Sequence, residues 1–574
     1  MNIKHLTTAT LLALMTLGTH AQGNATLAGE AMTVQRLAGD YVNIRIPATE
    51  QSKYLLIPVE EKAPESQIQI IADNVLVRSI NVRIAVNKTD YWVPILLEEF
   101  KGKNLTLLTH MAIDHANHGG QGAAPRIGDI RLSNTFDIAN REKFRPEFHH
   151  TPDYAWMNDP NGMFYMDGTW HLFYQYNPYG SMWGNMNWGH ATSKDLITWE
   201  QHGVAIAPDA NGTVFSGSCV VDKDNTAGFG KNAIIALYTS CIQTPHGHDL
   251  QEQCLAYSTD GGKTFQKYVG NPILTADIAD FRDPNMFWNE DIKAWNLILS
   301  HGQDMMIFSS PNLKDWKHES TFGAGLGSHG GVWECPDLMK LKVENGKKGE
   351  EKWVLICNIN PGGVNGGSAT QYFVGDFDGH TFTVDNAARY ADGKGLWQDY
   401  GKDHYATVSF SNAPDGRHTM IAWMSNWEYA NDVPTMQYRS ANSIAREPFL
   451  YYGADKKLYM GSRPSPEYDG KGLDKVVKVK GSCKVVLSND EGEEYVLTYD
   501  QKAMTLTADR SKSGTTAFSD NFAKQPVSAP LHKRLNSLRI FIDNSSVEVF
   551  GNDGEVAITN LVFPKSKYNH VTVK

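Results

Sequence analysis

The sequence predicts an all-β protein: a five-bladed β-propeller followed by a C-terminal β-sandwich, with an extra N-terminal β-sandwich-like domain. Three observations predict this fold class. The middle of the chain repeats a strand–turn–strand pattern, the regions on both sides alternate apolar and polar residues, and the N-terminal region has no helical period of useful length. A chain of 574 residues is also too long for one compact domain, so two or three domains are expected.

The first 21 residues are typical of a secretory signal peptide. Lys4 supplies a positive charge, an apolar stretch follows at 6–18, and residues 19–21 resemble a cleavage site that ends at Ala21. The next residue, Gln22, is not the cysteine that lipid attachment requires. No later stretch has the ~20 apolar residues that cross a bilayer. We therefore expect an exported protein, periplasmic or secreted, that is cleaved near Ala21 and has no membrane span.

Residues 22–142 are expected to form an N-terminal β accessory domain. Short β-like runs occur at Tyr41–Ile46, Ile68–Ala85 and Asn104–Thr109. They predict a small β-sandwich. This domain could be a sugar-binding module or a packing or spacer domain, and no sequence motif distinguishes these two roles.

Residues 143–455 are expected to form the propeller. A unit of strand, Asp/Asn/Gly turn and aromatic-led strand recurs four times, with its closing aromatics 66, 51 and 66 residues apart. This spacing is typical of four-stranded propeller blades. Segments 406–410 and 420–423 can complete a fifth blade. The closing aromatics are Trp199, Phe265, Trp316 and Phe382.

Residues 470–574 are expected to form the C-terminal β-sandwich. Alternation returns at Lys475–Val479 and Leu538–Ile542, and polar turns separate such runs. The segment 451–472 is the expected linker between propeller and sandwich.

The composition limits the partners, disulfides and metal sites that can be expected. A net charge of −11 argues against nucleic acid and anionic lipid as partners. Six cysteines are too few for a disulfide scaffold; Cys241 and Cys254 could pair across a hairpin, but buried free thiols are expected for most. The histidines at 149–150 and 246–248 lack a third ligand cluster, so neither a metal nor a cofactor is expected. The oligomeric state is not predicted.

Three carboxylates lie in compact, aromatic-rich motifs. Asp159 falls in Trp-Met-Asn-Asp-Pro-Asn-Gly, Asp283 in Phe-Arg-Asp-Pro-Asn, and Glu334 in Trp-Glu-Cys-Pro-Asp. Each motif alone favours a structural turn, because Asx, Pro and Gly are turn residues. Together the three acids suit glycoside cleavage, which needs one ionised carboxylate and one protonated carboxyl group.

The order of these motifs resembles glycoside hydrolase family 32, which includes invertases, inulinases and levanases. Supporting segments lie at 173–178, 183–190, 215–218 and 545–554, so the resemblance runs from about His149 to the C-terminus. It implies a five-bladed propeller with a C-terminal sandwich. It does not cover residues 22–142.

The resemblance also implies the activity. An exported enzyme would release fructose from levan, inulin and fructo-oligosaccharides, with sucrose as a further candidate, by a retaining double displacement. Asp159 would be the nucleophile, Glu334 the general acid/base and Asp283 a stabiliser of the fructosyl hydroxyls. Arg282 is expected to keep Asp283 ionised. The residues implied to bind substrate are Asn158, Gln175, Trp183, Phe215, Ser216, Arg282 and Trp427.

Some alternative activities stay open, and the sequence argues against others. An endo-levanase or a fructosyltransferase would use the same three carboxylates, and β-2,1 and β-2,6 linkages are not distinguished. A catalytically dead sugar-binding relative would lack one of the acids, and none is missing. The Asn-Asp-Pro-Asn-Gly context argues against arabinan or xylan cleavage, and the signal segment argues against an intracellular sucrose-phosphate hydrolase. The glycine-rich segments 323–331 and 361–367 are expected near the pocket.

Overall fold

The computed structural model describes residues 26–27, 30–38, 41–110, 125–139, 142–244 and 246–574. The predicted signal peptide and its cleavage position lie outside these ranges. The chain divides into two compact units, Met1–Phe136 and Asp137–Lys574. No helix in the described part of the chain is long and apolar enough to cross a membrane.

The first unit is built from strands, with two 3₁₀ turns at Glu98–Phe100 and Ile127–Asp129. The strands are β1 (Thr26–Leu27), β2 (Glu30–Ala31), β3 (Thr33–Arg36), β4 (Tyr41–Ile46), β5 (Tyr54–Val59), β6 (Ser66–Ala72), β7 (Val75–Val82), β8 (Tyr91–Leu96), β9 (Leu105–His110) and β10 (Arg131–Ser133). One sheet has the order β3-β4-β9-β6-β7 and another β10-β5-β8, and β1 pairs with β2. Strand β6 alternates buried and more exposed side chains, with Ile68 and Ile70 in the core, so one face of its sheet is covered.

The second unit begins with five sheets that form the blades of a propeller. The strands are β11 (Ala155–Met166), β12 (Thr169–Asn177), β13 (Asn187–Ser193), β14 (Trp199–Ile206), β15 (Thr213–Asp222), β16 (Ala233–Ile242), β17 (Leu250–Ser258), β18 (Gln266–Lys267), β19 (Phe281–Asn289), β20 (Ala294–His301), β21 (Asp304–Ser310), β22 (Lys317–Phe322), β23 (Val332–Lys342), β24 (Glu351–Asn360), β25 (Ala369–Phe377), β26 (Phe382–Val384), β27 (Leu396–Trp397), β28 (Tyr405–Ser409), β29 (Met420–Trp423), β30 (Tyr438–Arg439), β31 (Arg446–Tyr452) and β32 (Leu458–Pro464). Short 3₁₀ turns occur at Ala387–Arg389, Pro414–Gly416 and Pro466–Tyr468.

The first strand of each blade lines the propeller axis. These strands, β11, β15, β19, β23 and β28, each contact the next, and β28 returns to contact β11, so the ring is closed. Strand β30 pairs in parallel with β11, so a segment from the end of the ring joins its first blade. Closure of the ring brings residues far apart in sequence to one axis.

The repeat seen in the sequence marks the turn between the third and fourth strands of blades one to four. Asp195 accepts hydrogen bonds from the backbone amides of residues 197 and 198 at 3.0 and 2.7 Å. Asp260, Asn312 and Asp378 make the same type of bond in the next three blades. The repeated polar residue is thus an Asx-type turn former, and the closing aromatic begins or immediately precedes the outer strand.

The fifth blade extends further along the chain than the sequence suggested. Its four strands are β28, β29, β31 and β32, and β32 ends at Pro464. The segment 451–472 was expected to be a linker, yet it contains the end of β31 and all of β32. The Tyr-rich alternation there is that of an outer blade pair, and Leu458 and Met460 are buried in it.

The chain ends in a two-sheet sandwich. Its strands are β33 (Asp474–Lys478), β34 (Cys483–Ser488), β35 (Glu494–Asp500), β36 (Thr505–Lys512), β37 (Val527–Pro530), β38 (Ser537–Ile542), β39 (Ser546–Gly551), β40 (Val556–Leu561) and β41 (His570–Val573). One sheet has the order β33-β38-β39-β40 and the other β37-β36-β35-β34-β41. Val485, Leu497, Ile540 and Val549 are buried between them and belong to a core that continues into blade four of the propeller.

A buried group of charges joins the sandwich to the propeller, and we call it the interdomain cluster. His149 donates from Nδ1 to Asp543 at 2.7 Å and from Nε2 to Glu548 at 2.8 Å. Arg446 donates to Asp399 at 2.8 Å and also to Glu548. Burial alone would lower the pKa of His149, but its two carboxylate partners raise it to about 9, so both ring nitrogens carry protons.

The six cysteines are free thiols. A bridge between Cys241 and Cys254 does not form, because the register of β16 and β17 pairs Cys241 with Gln251 and Cys254 with Tyr238. Five of the six thiols are buried, as expected.

Candidate active site

The three acids lie on the axial strands of blades one, three and four, beside β-bulges. The pairing of β11 with β12 shifts between Met157 and Pro160, which brackets Asp159. The shift between Arg282 and Asn285 brackets Asp283, and a third follows Glu334. The motifs were expected to be turns, and the structure corrects this to bulged strands. Pro, Asn and positive-φ residues favour both, so composition alone did not separate them.

The bulge recurs in the other two blades. Register shifts occur between Val214 and Gly217 in β15 and between Tyr405 and Val408 in β28. At Gly217 a Cβ atom would lie 2.0 Å from a backbone oxygen of the neighbouring strand, so a side chain is excluded there. A β-bulge changes the direction in which the neighbouring side chains point. Five bulges at one level therefore turn selected side chains toward the axis.

Asp159 is held by three side-chain donors. Ser216 Oγ donates to Oδ2 at 2.7 Å, Asn158 Nδ2 donates to Oδ1 at 3.0 Å, and Cys335 Sγ lies 3.5 Å from Oδ2. Burial raises the pKa of Asp159, and the nearby charge of Glu334 adds to this effect. The three donors oppose the shift and support the ionised form.

Asn158 contacts the acid rather than only lining the pocket. Its Oδ1 accepts a hydrogen bond from Trp156 Nε1 at 2.8 Å, while its Nδ2 donates to Asp159. The amide is therefore fixed in one orientation. Asn158 thereby positions the carboxylate of Asp159.

Asp283 shares Cys335 with Asp159. The backbone amide of Cys335 donates to Asp283 Oδ2 at 2.9 Å, and its sulfur lies 3.6 Å from the same oxygen. Asp283 and Cys335 both have positive φ, at 67° and 42°, which is uncommon outside glycine. These backbone conformations bring the acid and the thiol together at the axis.

Arg282 binds other carboxylates more closely than Asp283. Its guanidinium lies 2.5 Å from Asp280 and 3.0 Å from Glu334, but 3.9 Å from Asp283. Burial raises the pKa of Asp283 to about 7, and Arg282 only partly opposes this shift. Arg282 is shared among three acids and does not offset the effect of burial on Asp283, contrary to the expectation from the sequence.

Glu334 has a donor on each oxygen. Oε1 accepts from Arg282 at 3.0 Å, and Oε2 accepts from the hydroxyl of Tyr405. Tyr405 is fully buried at the start of β28, and Ala406 after it has φ of 53°.

Tyr405, Cys335 and Asp280 were not predicted as site residues. Cys335 follows Glu334 directly, so its place in the motif could have indicated a contact. Tyr405 had no such signal, because its segment shows only the alternation of an ordinary blade strand. Its role depends on closure of the ring, which places β28 beside β23.

The other predicted substrate residues differ in burial and in their ring contacts. Gln175 is buried in β12, and its Nε2 has no hydrogen-bond partner among the described residues. Trp183 is 39% exposed, and its ring lies 6.3 Å from that of Phe215. Trp427 stacks on Trp156 at 5.9 Å. The free donor and the exposed ring suit a hydroxyl-rich ligand.

Two glycine-rich segments border this region. Segment 361–367 contacts Asn426, whose Nδ2 donates to the backbone oxygen of Gly366 at 3.4 Å and whose Oδ1 accepts from the amide of Ser368 at 3.4 Å. Ser368 in turn accepts from the backbone amide of Trp427 at 3.1 Å. In segment 323–331, Ser328 accepts from the indole of Trp333 at 2.8 Å. Both segments thus support the aromatic residues next to the acids.

The histidines that were considered as metal ligands have other partners. His149 belongs to the interdomain cluster, and His150 contacts Asn442 at 2.6 Å and Gln201 at 3.0 Å. His248 lies 3.2 Å from Asp277 at the surface. Within the described ranges, no group of three or more metal-ligating side chains was found.

Comparison with known families agrees with this geometry. Residues 149–462 match the glycosyl hydrolases family 32 N-terminal domain, and residues 476–574 match the family 32 C-terminal domain. The chain belongs to glycosyl hydrolase family 32. It is therefore a glycosidase, and its fold class, a propeller followed by a sandwich, is confirmed. Residues 40–148 match a domain of unknown function, DUF4980.

Individual relatives cover most of the family 32 region. A levanase of Bacillus subtilis is 46% identical over 74% of this chain and 67% of its own length. An extracellular exo-inulinase of Aspergillus awamori is 38% identical over 76% of this chain and 92% of its own. The crystal structure of exo-inulinase from Aspergillus awamori superposes with a TM-score of 0.68 and 35% identity, over 75% of this chain and 95% of that one. The structure of a fructofuranosidase of Schwanniomyces occidentalis complexed with fructose superposes with a TM-score of 0.65 and 33% identity. The match covers 75% of this chain and 94% of that one.

Proposed function

We propose that this family 32 enzyme hydrolyses β-fructans and releases fructose by a retaining double displacement. One observation carries the proposal. Asp159, Asp283 and Glu334 come from three blades and join in one buried network through Cys335 and Arg282. Glycoside hydrolysis with retention needs a nucleophilic carboxylate and an acid/base carboxyl in one pocket.

In the first step Asp159 attacks the anomeric carbon of the terminal fructosyl unit. The bond from that carbon to the bridging oxygen breaks, its electron pair goes to the oxygen, and Glu334 gives this oxygen a proton. Ser216, Asn158 and Cys335 stabilise the attacking carboxylate beforehand. The products are a shortened chain and a fructosyl ester of Asp159.

In the second step water attacks the same carbon. Glu334, now ionised, takes a proton from the water, and the ester bond to Asp159 breaks with its electrons returning to the carboxylate. Tyr405 and Arg282 hold the ionised form of Glu334 between the two steps. Two inversions give net retention.

Asp283 and Gln175 suit recognition of the sugar ring. Asp283 accepts through a buried carboxyl with a pKa of about 7, so its proton can adjust to the hydroxyls that it meets. Gln175 offers a buried amide donor, and Trp183 with Phe215 forms an aromatic wall. These groups match a hydroxyl-rich ring with an apolar face.

The names of the relatives support the proposed substrate class and location. The similar proteins are named levanase and extracellular exo-inulinase, and the N-terminal 21 residues resemble a signal peptide. We therefore assign β-fructans such as levan, inulin and fructo-oligosaccharides, with sucrose as a further candidate. Export to the periplasm or the medium belongs to the same proposal.

The test is product analysis with purified protein on levan, inulin and sucrose. Fructose should appear first, and proton NMR before mutarotation should show the β-anomer. No sugar from any of these substrates would contradict the activity, and initial α-fructose would make Asp159 a general base instead. Early release of oligosaccharides would identify an endo-levanase, and longer products at high sucrose would identify a fructosyltransferase.

A further inference from the structure

One cavity lies among the axial strands, at positions further along each strand than the three acids. Its volume is about 470 Å³, and its lining does not include Asp159, Asp283 or Glu334. It is lined from all five axial strands at positions within, at the end of or directly after the register shifts. These positions are Met163, Ser218, Asn285, Asp337 and Ser409.

The lining combines half-buried aromatic rings with a buried carboxyl group. Phe287, Trp288 and Trp353 contribute the rings. Asp337 is buried, and its two oxygens each accept one backbone amide, from Leu338 at 2.8 Å and Ser409 at 2.7 Å. A carboxylate oxygen has two acceptor positions, so Asp337 can still receive hydroxyl donors.

The charges that line the cavity argue for a neutral ligand. Acids and bases are mixed, and the deepest charged groups are acidic, so an anion would be repelled. Arg417 is already paired with Glu447 and Glu467. Within the described ranges no set of side chains suitable for a metal was found. The charged lining residues are Asp222, Lys223, Asp224, Glu290, Asp337, Lys340 and Arg417.

We propose that this axial cavity is a second sugar site, which binds fructose or a fructo-oligosaccharide of two or three units. Aromatic rings pack on the C–H face of a sugar, while Asp337 and the polar rim accept and donate to its hydroxyls. The volume lies within the range of small-ligand pockets and is too small for a polymer. The identity of the sugar rests on the proposed function, whereas the existence of the site does not.

Sugar binding in this cavity should affect the three acids, because the same axial strands carry residues of both sites. Strand β23 carries Glu334 at the catalytic level and Asp337 in the cavity, and β19 carries Asp283 and Trp288. Product that binds in the cavity is therefore expected to change turnover without competing for the catalytic pocket. That pattern is non-competitive with substrate.

The experiment uses the full-length Asp159→Asn/Glu334→Gln double variant, which should bind sugar without cleaving it. Calorimetric titration with fructose and with a three-unit fructan should give two binding events per chain. Adding Ala413→Trp, which places a large ring in the cavity wall, should leave one event. Ala413→Ser is the matched control and should keep both, because Ala413 makes no side-chain hydrogen bond that the change could break.

The proposal would be overturned by a single binding event in the Asp159→Asn/Glu334→Gln variant. Two binding events after Ala413→Trp is added would also overturn it. If Ala413→Trp does not fold, as judged by its melting temperature, Trp288→Leu replaces it, since this change removes an aromatic face and should weaken the second event at least tenfold. Failure of the proposed function is seen separately, as absence of fructose release by the wild-type enzyme. A single binding event in the parent variant, together with fructose release by the wild-type enzyme, would contradict only the axial site.

Discussion

The molecule buries two groups of three carboxylates, and the groups differ in their counter-charges. The active-site group has one arginine, Arg282, which it shares with a fourth acid, Asp280. The interdomain cluster has two cations, His149 and Arg446, each bonded to two carboxylates. The active-site acids are Asp159, Asp283 and Glu334, and the interdomain acids are Asp399, Asp543 and Glu548.

The difference appears in the proton affinities. Burial raises the pKa of Asp159 and of Asp283 in the active site, and the remaining acids add to the rise. Burial also acts on Glu548, but Arg446 and His149 outweigh it and lower the pKa to about 2. Burial therefore gives opposite results for Asp283 and Glu548, which are both almost fully buried, and the number of partner cations decides the sign.

We propose that this contrast separates the candidate catalytic acids from the acids that stabilise the fold. Acids with raised pKa values hold or release protons in the range where the enzyme works, and they weaken the fold when ionised. Acids with lowered pKa values stay ionised and stabilise the folded state through their partners. Substitutions to the neutral amide in the two groups should therefore have opposite effects on stability.

The largest expected effect is that of Asp159→Asn on turnover. Loss of the nucleophile removes the covalent route, so kcat should fall ~10⁴-fold or more. The amide keeps the size of the side chain, so the melting temperature should not fall. Initial rates of fructose release and a thermal melt check both parts. Retention of more than a tenth of the activity by a folded variant would refute the nucleophile role.

Glu334→Gln should lower turnover by ~10²–10⁴-fold, the usual range for general acid catalysis. The loss should shrink on a fructoside with a good leaving group, because protonation of that group then matters less. The measurement compares kcat on an aryl fructoside and on a natural fructan. Equal losses on both substrates would argue against the acid role.

In the interdomain cluster, Glu548→Gln should destabilise the fold and leave the chemistry intact. Removing one partner of a buried ion pair costs about 3–5 kcal/mol, because Arg446 and His149 lose a counter-charge. The melting temperature should fall, while kcat at 25 °C stays near that of wild type.

Glu147→Gln is the matched control for this prediction. Glu147 pairs with Lys567 at 2.7 Å, but both side chains are about half exposed, so its loss should change the melt little. Equal shifts for Glu147→Gln and Glu548→Gln would remove the distinction between buried and exposed pairs.

The sequence predicted the architecture well because the relevant signals are local. The Asx turns at Asp195 and Asp260 recur with each blade, and alternation marks the sandwich strands. The three acids were found through short motifs. Bulges and turns use the same residues, so the conformation around Asp283 was not predictable from its motif.

Contacts that depend on ring closure were not predictable. Tyr405 reaches Glu334 across 71 residues, and Arg282 lies nearer to Glu334 than to its neighbour Asp283. A motif shows which residues are adjacent in sequence, whereas the balance of charges depends on which blades meet. Burial therefore raises the pKa of Asp283, whereas the sequence led us to expect that Arg282 would keep this acid ionised; its role in the site stays a prediction.

The smallest expected effect, and the sharpest test of the contrast, is a gain in stability from Asp283→Asn. The pKa of this acid rises from an ordinary 3.8 to about 7 on folding. Below pH ~4 Asp283 is protonated in both the folded and the unfolded chain, so it does not reduce the free energy of unfolding. Between pH ~4 and 7 the unfolded chain releases a proton that the folded chain keeps, so wild-type stability falls as the pH rises, and above 7 the full penalty applies.

Asparagine has no such proton to lose and keeps an oxygen that can accept from the amide of Cys335. The variant should therefore be more stable than wild type by about 1–2 kcal/mol at pH 7.5, a gain typical of relieving a functional site. The gain should shrink toward pH 4, and activity should be lost at every pH. Thermal melts of both proteins across this range measure it. A variant less stable than wild type by the same amount at pH 4 and at pH 7.5 would mean that Asp283, like Glu548, stabilises the fold, and the contrast between the two groups would fail.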